Sequence, residues 1–206
     1  PTAPFHAKKS LVFFRWLCYT GSKDFSEVRI VHIWGHFKTV CRHRALVQKY
    51  CFRLGLYWQG LTHDLSKFSP TEFWAGARYF QGDHSPNDAQ RQADGYSASW
   101  LHHKGRNRHH FEYWTDYSLT GEGITGVEMP KKYVAEMFCD RLAASKVYRG
   151  AAFDPADPYR FFLRGQKKQL LLHPETSRLL ESMLIKLRDE GEDAAFDYIR
   201  HDILGK

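Results

Sequence analysis

The chain carries twelve histidines in 206 residues, and several stand beside carboxylates or recur in pairs. In GLTHDLSKFSP, residues 60 to 70, His63 directly precedes Asp64 and Lys67 follows three residues on. An isolated His-Asp pair is ordinarily no more than a polar helix terminus. The segment WLHHKGRNRHHFEYW adds His102-His103 and His109-His110, so four of the twelve histidines fall within nine positions. His43 lies between Val40 and Val47 on an apolar helical face. Asp140 interrupts another, formed by Tyr133, Met137, Ala144 and Val147. A buried carboxylate is costly without a partner, so Asp140 must meet an arginine, a hydrogen-bond network or a cation. Imidazole and carboxylate donors without thiolate suit manganese, iron, nickel, cobalt or zinc in a working site better than a structural zinc site. Adjacent helical residues diverge by about 100°, so one member of each His-His pair is expected to face such a cation and the other to lie at the surface or behind it.

The periodicity that must position these groups is helical nearly throughout, and no convincing strand alternation is visible. Ser26-Glu27 begins a helix running to Leu54, with Gly55 at its end. His36, Val40, His43, Val47, Tyr50 or Cys51, and Leu54 step along one face by three or four residues. LYWQGLTHDL predicts a shorter helix ending at the His-Asp pair. Ser69-Pro70-Thr71-Glu72 has the form of a capping box with proline at the first helical position. A polar stretch from Gly82 to Tyr96 has room for one short helix after Ser85. Helix then resumes on either side of the Gly105-Arg106-Asn107 turn. GEGITG lacks the strand and spacing of a phosphate loop and is expected to be plain loop. A long helix opens at Met129-Pro130 and is ended by Gly150. After DPADP, the segments LRGQKKQLLL, PETSRLLESMLIKLRDEG and EDAAFDYIRHDIL read as amphipathic closing helices. The fold class is therefore all-α. The expected division is an extension over 1–25, a metal-binding core over 26–150, and helices over 151–206 that pack on it.

Composition adds boundaries. Aromatic residues make up 16% of the chain and charged residues 26%, as in a globular protein. The four cysteines show no C-x-x-C spacing, so neither a zinc knuckle nor a disulfide framework is indicated, and a reducing cytoplasm is the expected compartment. LVFFRWLCY is too short to span a bilayer, which takes about 20 apolar residues. The net charge of +7 sits in the first fifty residues, where nine Lys/Arg face Asp24 and Glu27. A basic third of this kind can attract nucleic acid, although a solvated helix face is the simpler explanation and the preferred one. His201-Asp202 repeats the dipeptide near the end of an amphipathic helix, where no further ligands follow. With His6, His84 and His173 it is expected at the surface.

The order His, His-Asp, two further histidines and a distant Asp resembles the HD superfamily of metal-dependent phosphohydrolases. HRALVQKYCFRLGLYWQGLTHDLSKF is similar to that fold's opening. HDLSKFSPTEF, LHHKGRNRHHFEYW and MPKKYVAEMFCDRLAASK resemble, over about residues 36 to 150, a bacterial family of uncharacterised HD-like proteins. Some of its members carry a catalase label that no haem-ligand pattern in this chain supports. The resemblance implies an HD-like helical bundle in which His43, His63, Asp64 and Asp140 hold one divalent metal. Asp64 would bridge to a second metal held by His103 and His110, with His102 and His109 as the alternatives within each pair. His36, seven residues before His43, is the alternative first ligand, because the gap from His43 to His63 is short for the superfamily. The chemistry implied is hydrolysis of a phosphomonoester or phosphodiester, in a nucleotide or small phosphorylated metabolite, by a metal-activated hydroxide. Asp64 and Lys67 would be catalytic, and Lys67, Arg141 and Lys146 would contact the phosphate. Two rivals remain: a mixed-valent di-iron oxygenase, which uses a similar ligand set, and a nucleic-acid-binding module that keeps its metal for structure.

Overall fold

A computed structural model describes residues 30–121, 123–166 and 171–206. The expected extension over 1–25, the helix start at Ser26-Glu27 and part of LRGQKKQLLL lie outside the described residues. Five of the nine cations in the basic first fifty residues lie there too: Lys8, Lys9, Arg15, Lys23 and Arg29.

The described residues are predominantly helical, with eight α-helices, short 3-10 turns and one two-stranded ribbon. Helix α1 (Ile30–Arg53) buries the anticipated face: His36, Val40, His43, Val47, Tyr50, Cys51 and Leu54 are all buried. It ends at Gly55, whose φ of 67° lies in the left-handed region that glycine enters without strain. Helix α2 (Tyr57–Thr62) is a turn and a half long and stops at His63. A 3-10 turn over Leu65–Phe68 leads to α3 (Pro70–Arg78), capped by Ser69 Oγ accepting from the Glu72 N–H. The return half of the capping box is absent. The Ser69 N–H donates to the Ser66 carbonyl instead, which frees the Glu72 carboxylate for another use.

Helices α4 (Pro86–Asp94) and α5 (Ala98–Lys104) follow, each opened by a serine cap. The chain does not return to α-helix after the Gly105 turn. A 3-10 turn at Phe111–Tyr113 runs into an antiparallel ribbon of β1 (Thr115–Tyr117) and β2 (Ile124–Gly126), so the Ile124–Gly126 end of GEGITG is strand and not plain loop. Three-residue strands with mostly exposed side chains are too short to print an alternation on the sequence.

Helix α6 (Lys131–Arg149) is buried on nearly every side, from Val134 and Ala135 to Phe138, Cys139 and Leu142. It packs against α1 on one flank and α8 (Pro174–Tyr198) on another, with α7 (Asp157–Gln166) alongside. The two closing segments read separately in the sequence form one continuous element, bent at Gly191 (φ 84°) and finished by a π-turn over Ile199–Ile203. Phe196 links the parts of the core, its ring centroid 5.4 Å from Tyr50 and 5.8 Å from Phe138. Helices α3 and α5 pack on each other, and α3 also packs on α1. Among the described residues no helix is long and apolar enough to cross a membrane.

Candidate metal centre

The His-Asp pair sits at a forced change of direction. Helix α2 ends, Asp64 adopts φ 53° and ψ 24°, and the 3-10 turn begins. Asp64 is the one non-glycine residue with positive φ among the described residues. Such a conformation costs an L-residue about 1–2 kcal/mol, less for the short polar side chains Asn and Asp, and strain of this kind collects at functional sites. Arg44, from α1, holds the turn in place. Its Nε donates to the His63 carbonyl at 2.8 Å and an Nη to that of Leu61 at 3.2 Å, with the guanidinium over the Phe68 ring. The result drives both side chains inward, leaving His63 2% and Asp64 1% exposed.

Around Asp64 two sets of donors converge. His43 Nε2 lies 3.0 Å from Asp140 Oδ1 and 3.6 Å from Asp64 Oδ2, while His63 Nε2 lies 3.4 Å from both His43 Nε2 and Asp64 Oδ2. On the other side of the carboxylate, His103 Nε2 is 3.2 Å and His109 Nε2 3.5 Å from Asp64 Oδ1. His110 Nε2 completes that set, 2.9 Å from His103 Nε2. Within each set, His43-His63-Asp64-Asp140 and Asp64-His103-His109-His110, one donor atom per residue lies within 4.8 Å of every other. Neighbouring donors in a shell of ~2.1 Å bonds stand ~3.0 Å apart in octahedral geometry, which is the spacing seen here.

The second His-His pair departs from expectation. His102 and His103 lie on α5 and do diverge: His103 is buried in the cluster, whereas His102 turns to Glu72 Oε1 at 2.6 Å. His109 and His110 are not on a helix, so the 100° argument does not govern them. His110 is extended (φ −92°, ψ 130°), and both rings enter the cluster with centroids 4.1 Å apart. His109, anticipated behind or outside the site, is 1% exposed and central.

His36 does not join the cluster. It is buried against Phe73, Phe80 and Gly76, with Nε2 lacking a hydrogen-bond partner. Burial, helped by Lys67, pushes its pKa down to about 4. Lys67 does face the site, its Nζ 2.6 Å from Asp64 Oδ2 in an ion pair whose angles fall outside those of a hydrogen bond. Lys146 does not: it pairs with Glu192 and covers the Tyr50 and Phe153 rings, six residues and a different helical face from Asp140. Arg141 stacks over Phe161, with one Nη buried and without a hydrogen-bond partner. His84 pairs with the adjacent Asp83, His173 caps α8, and His201-Asp202 is exposed, all outside the cluster.

Two carboxylates stand behind the imidazoles that no spacing in the linear chain pointed to. Glu136 Oε1 accepts from His63 Nδ1 at 3.0 Å and stands 3.2 Å from His109 Nδ1 in an ion-pair contact, and Glu72 Oε2 accepts from His103 Nδ1 at 2.7 Å. In the sequence Glu72 reads as half of a capping box, and Glu136 as a surface residue so long as α6 is assumed to have a solvent side. Burial disfavours every charge here, yet the opposite charges outweigh it. His63 is raised well above its usual value by Asp64, Asp140 and Glu136, and Asp64 is held well below by His63, Lys67 and His103. Asp140 is likewise held low by His43 and His63. His110 goes the other way: burial and its neighbours His109 and His103 push it well below the imidazole range.

Both Asp64 oxygens and His109 Nε2 are buried without a hydrogen-bond partner. Orphaned acceptors aimed at common points, backed by carboxylates on the far ring nitrogens, are what ligation of divalent cations requires. The donor set fits such ions.

A profile of a family of unknown function, DUF5662, matches residues 32–186. The chain belongs to this family. The matched span contains every residue of both donor sets and both supporting glutamates. No curated protein and no solved structure matches the chain.

Proposed function

We propose that this DUF5662 chain is a metal-dependent hydrolase of phosphoesters, with two adjacent divalent-cation positions sharing Asp64 in an HD-like helical bundle. The observation that carries the reading is that the two oxygens of one buried carboxylate face different sets of imidazoles, and neither oxygen has a hydrogen-bond partner. His43, His63, Asp64 and Asp140 would hold one ion, and Asp64, His103, His109 and His110 the other. Divalent cations bound there supply a water deprotonated near neutral pH and a sink for phosphoryl charge. The protein's own part is positioning and electrostatics. Asp64 holds the two positions at a fixed separation from a backbone turn that Arg44 braces. The Lys67 ammonium, raised in pKa because Asp64 and Asp140 outweigh its burial, stays charged and can shift from Asp64 to a phosphoryl oxygen. Arg141, next to Asp140 with a free Nη, can add a second positive group. Lys146 drops out of this role.

The donor set contains no thiolate and also suits iron, so the oxygenase reading stays the rival. The test is elemental analysis of protein purified without added metal, followed by an anaerobic screen of nucleotides and small phosphorylated metabolites. Phosphate release that disappears in His63→Ala supports the proposal. Iron content with oxygen uptake and no phosphate release would replace it with the oxygenase. Salt-sensitive nucleic-acid binding that survives metal removal, with no turnover, would favour the binding module.

A further inference from the structure

We propose that Glu136 is a positioning residue that couples the two cation positions, an inference that rests on reading His63 and His109 as ligands. One oxygen of this buried carboxylate, Oε1, lies 3.0 Å from His63 Nδ1 and 3.2 Å from His109 Nδ1. A carboxylate oxygen has two lone pairs: this one accepts a hydrogen bond from His63 Nδ1, and its charge attracts His109 Nδ1 in an ion-pair contact. A carboxylate beside each Nδ1 favours the tautomer with hydrogen on that nitrogen and leaves the Nε2 lone pair pointing inward. The two rings are held with centroids 4.3 Å apart. Their Nε2 atoms then serve different positions: His63 stands with His43 and Asp140, His109 with His103 and His110. Asp64 therefore joins the two positions from the front, and Glu136 joins them from behind.

His63, His109 and Glu136 also satisfy the spacing of a third metal group. A supporting carboxylate that faces both Nδ1 atoms is the better account of these contacts. Both imidazoles would have to ligate through Nδ1 there, turning the buried Nε2 atoms that converge on Asp64 into nitrogens with no role.

Glu72 provides an internal comparison. Its two oxygens take His103 Nδ1 and His102 Nδ1, and only His103 belongs to a donor set. Glu72 thus supports one position where Glu136 supports both. Loss of such a supporting carboxylate typically lowers metal affinity about 10- to 100-fold.

Stepwise cobalt titration of the full chain, followed by visible absorption, separates these roles. Wild-type protein is expected to take up two ions. Glu136→Gln, which keeps the shape and removes the negative charge that draws both Nδ1 groups, should weaken both steps about 10- to 100-fold, and Glu72→Gln only one. Two ions bound by Glu136→Gln with wild-type affinity, or a loss confined to one step, overturns the coupling role while leaving the metal reading intact. Wild-type protein that binds no cobalt overturns both. A measurement on unaltered protein guards against a variant that fails to fold: in the zinc-loaded chain, slowly exchanging downfield Nδ1–H signals are expected from both His63 and His109. Absence of either signal also overturns the proposal.

Discussion

The Nε2 atoms of His103 and His110 stand 2.9 Å apart, although the two residues come from different elements, α5 and the irregular segment after it. Glu72 already takes the His103 Nδ1 hydrogen, so in the neutral ring the lone pair of His103 Nε2 faces the other imidazole. Two such nitrogens directed at one point repel unless a proton or a cation lies between them. His109 Nε2 converges on the same region from the adjacent residue.

The pairs therefore behave unequally on substitution. His109→Ala and His110→Ala are each expected to lower metal affinity at least tenfold, because each removes a donor from the second set. His102→Ala should stay within a few-fold of wild type, since His102 pairs with Glu72 and belongs to neither donor set. Isothermal titration with zinc or manganese measures all three. A His102 effect as large as that of His109 would count against this assignment.

Asp64 combines a left-handed backbone with a ligand carboxylate, and two variants separate these jobs. Asparagine tolerates this conformation about as well as aspartate does. Asp64→Asn should remain folded by circular dichroism yet lose metal affinity more than a hundredfold, its amide being a poor bridge. Asp64→Ala should lose the metal and also be less stable than Asp64→Asn by about 1 kcal/mol, because alanine lacks the short polar side chain that eases φ 53° for Asn and Asp. Denaturant titration of both variants tests the difference.

Arg44 clamps the carbonyls of Leu61 and His63 with a planar fork that lysine does not reproduce. Arg44→Lys is expected to cost about 1–2 kcal/mol of stability, the scale of one or two hydrogen bonds from a charged donor, and to weaken metal binding because the His-Asp turn loosens. Wild-type metal affinity in this variant would show that the turn holds itself.

His36 contributes a pH dependence. Its pKa is near 4 in the folded chain and about 6.5 when unfolded, so between these values the unfolded state binds the extra proton. Its stabilising contribution is full above about pH 6.5 and is lost as pH falls toward 4. His36→Leu should flatten the stability profile over that window, as read from urea midpoints at several pH values. The same packing makes Gly76 intolerant of a side chain. A Cβ there would overlap His36 Nε2, so Gly76→Ala should cost about 1–3 kcal/mol, less when His36 is also Ala.

The residues themselves determined much of the helical frame. The face of α1 from His36 to Leu54 is buried as its spacing demands, Ser69 and Ser85 cap as their types demand, and Gly55 and Gly150 end helices. Periodicity is a local property and survives in the linear chain. The composition of the candidate site was legible too, because a carboxylate or imidazole on an apolar face must be explained by something it meets. What the linear chain left open were the choices made by neighbours distant in sequence. His36 and His43 sit on the same face seven residues apart, and only the packing of α3 against one and α6 against the other separates an aromatic pocket from the cluster. His109 and His110 both enter because the chain there is not helical, and nothing in their spacing reveals that. Glu72 and Glu136 acquire their partners from elements 31 and 73 residues away. Direction toward a common point belongs to the assembled bundle, since it depends on which helices meet and at what depth.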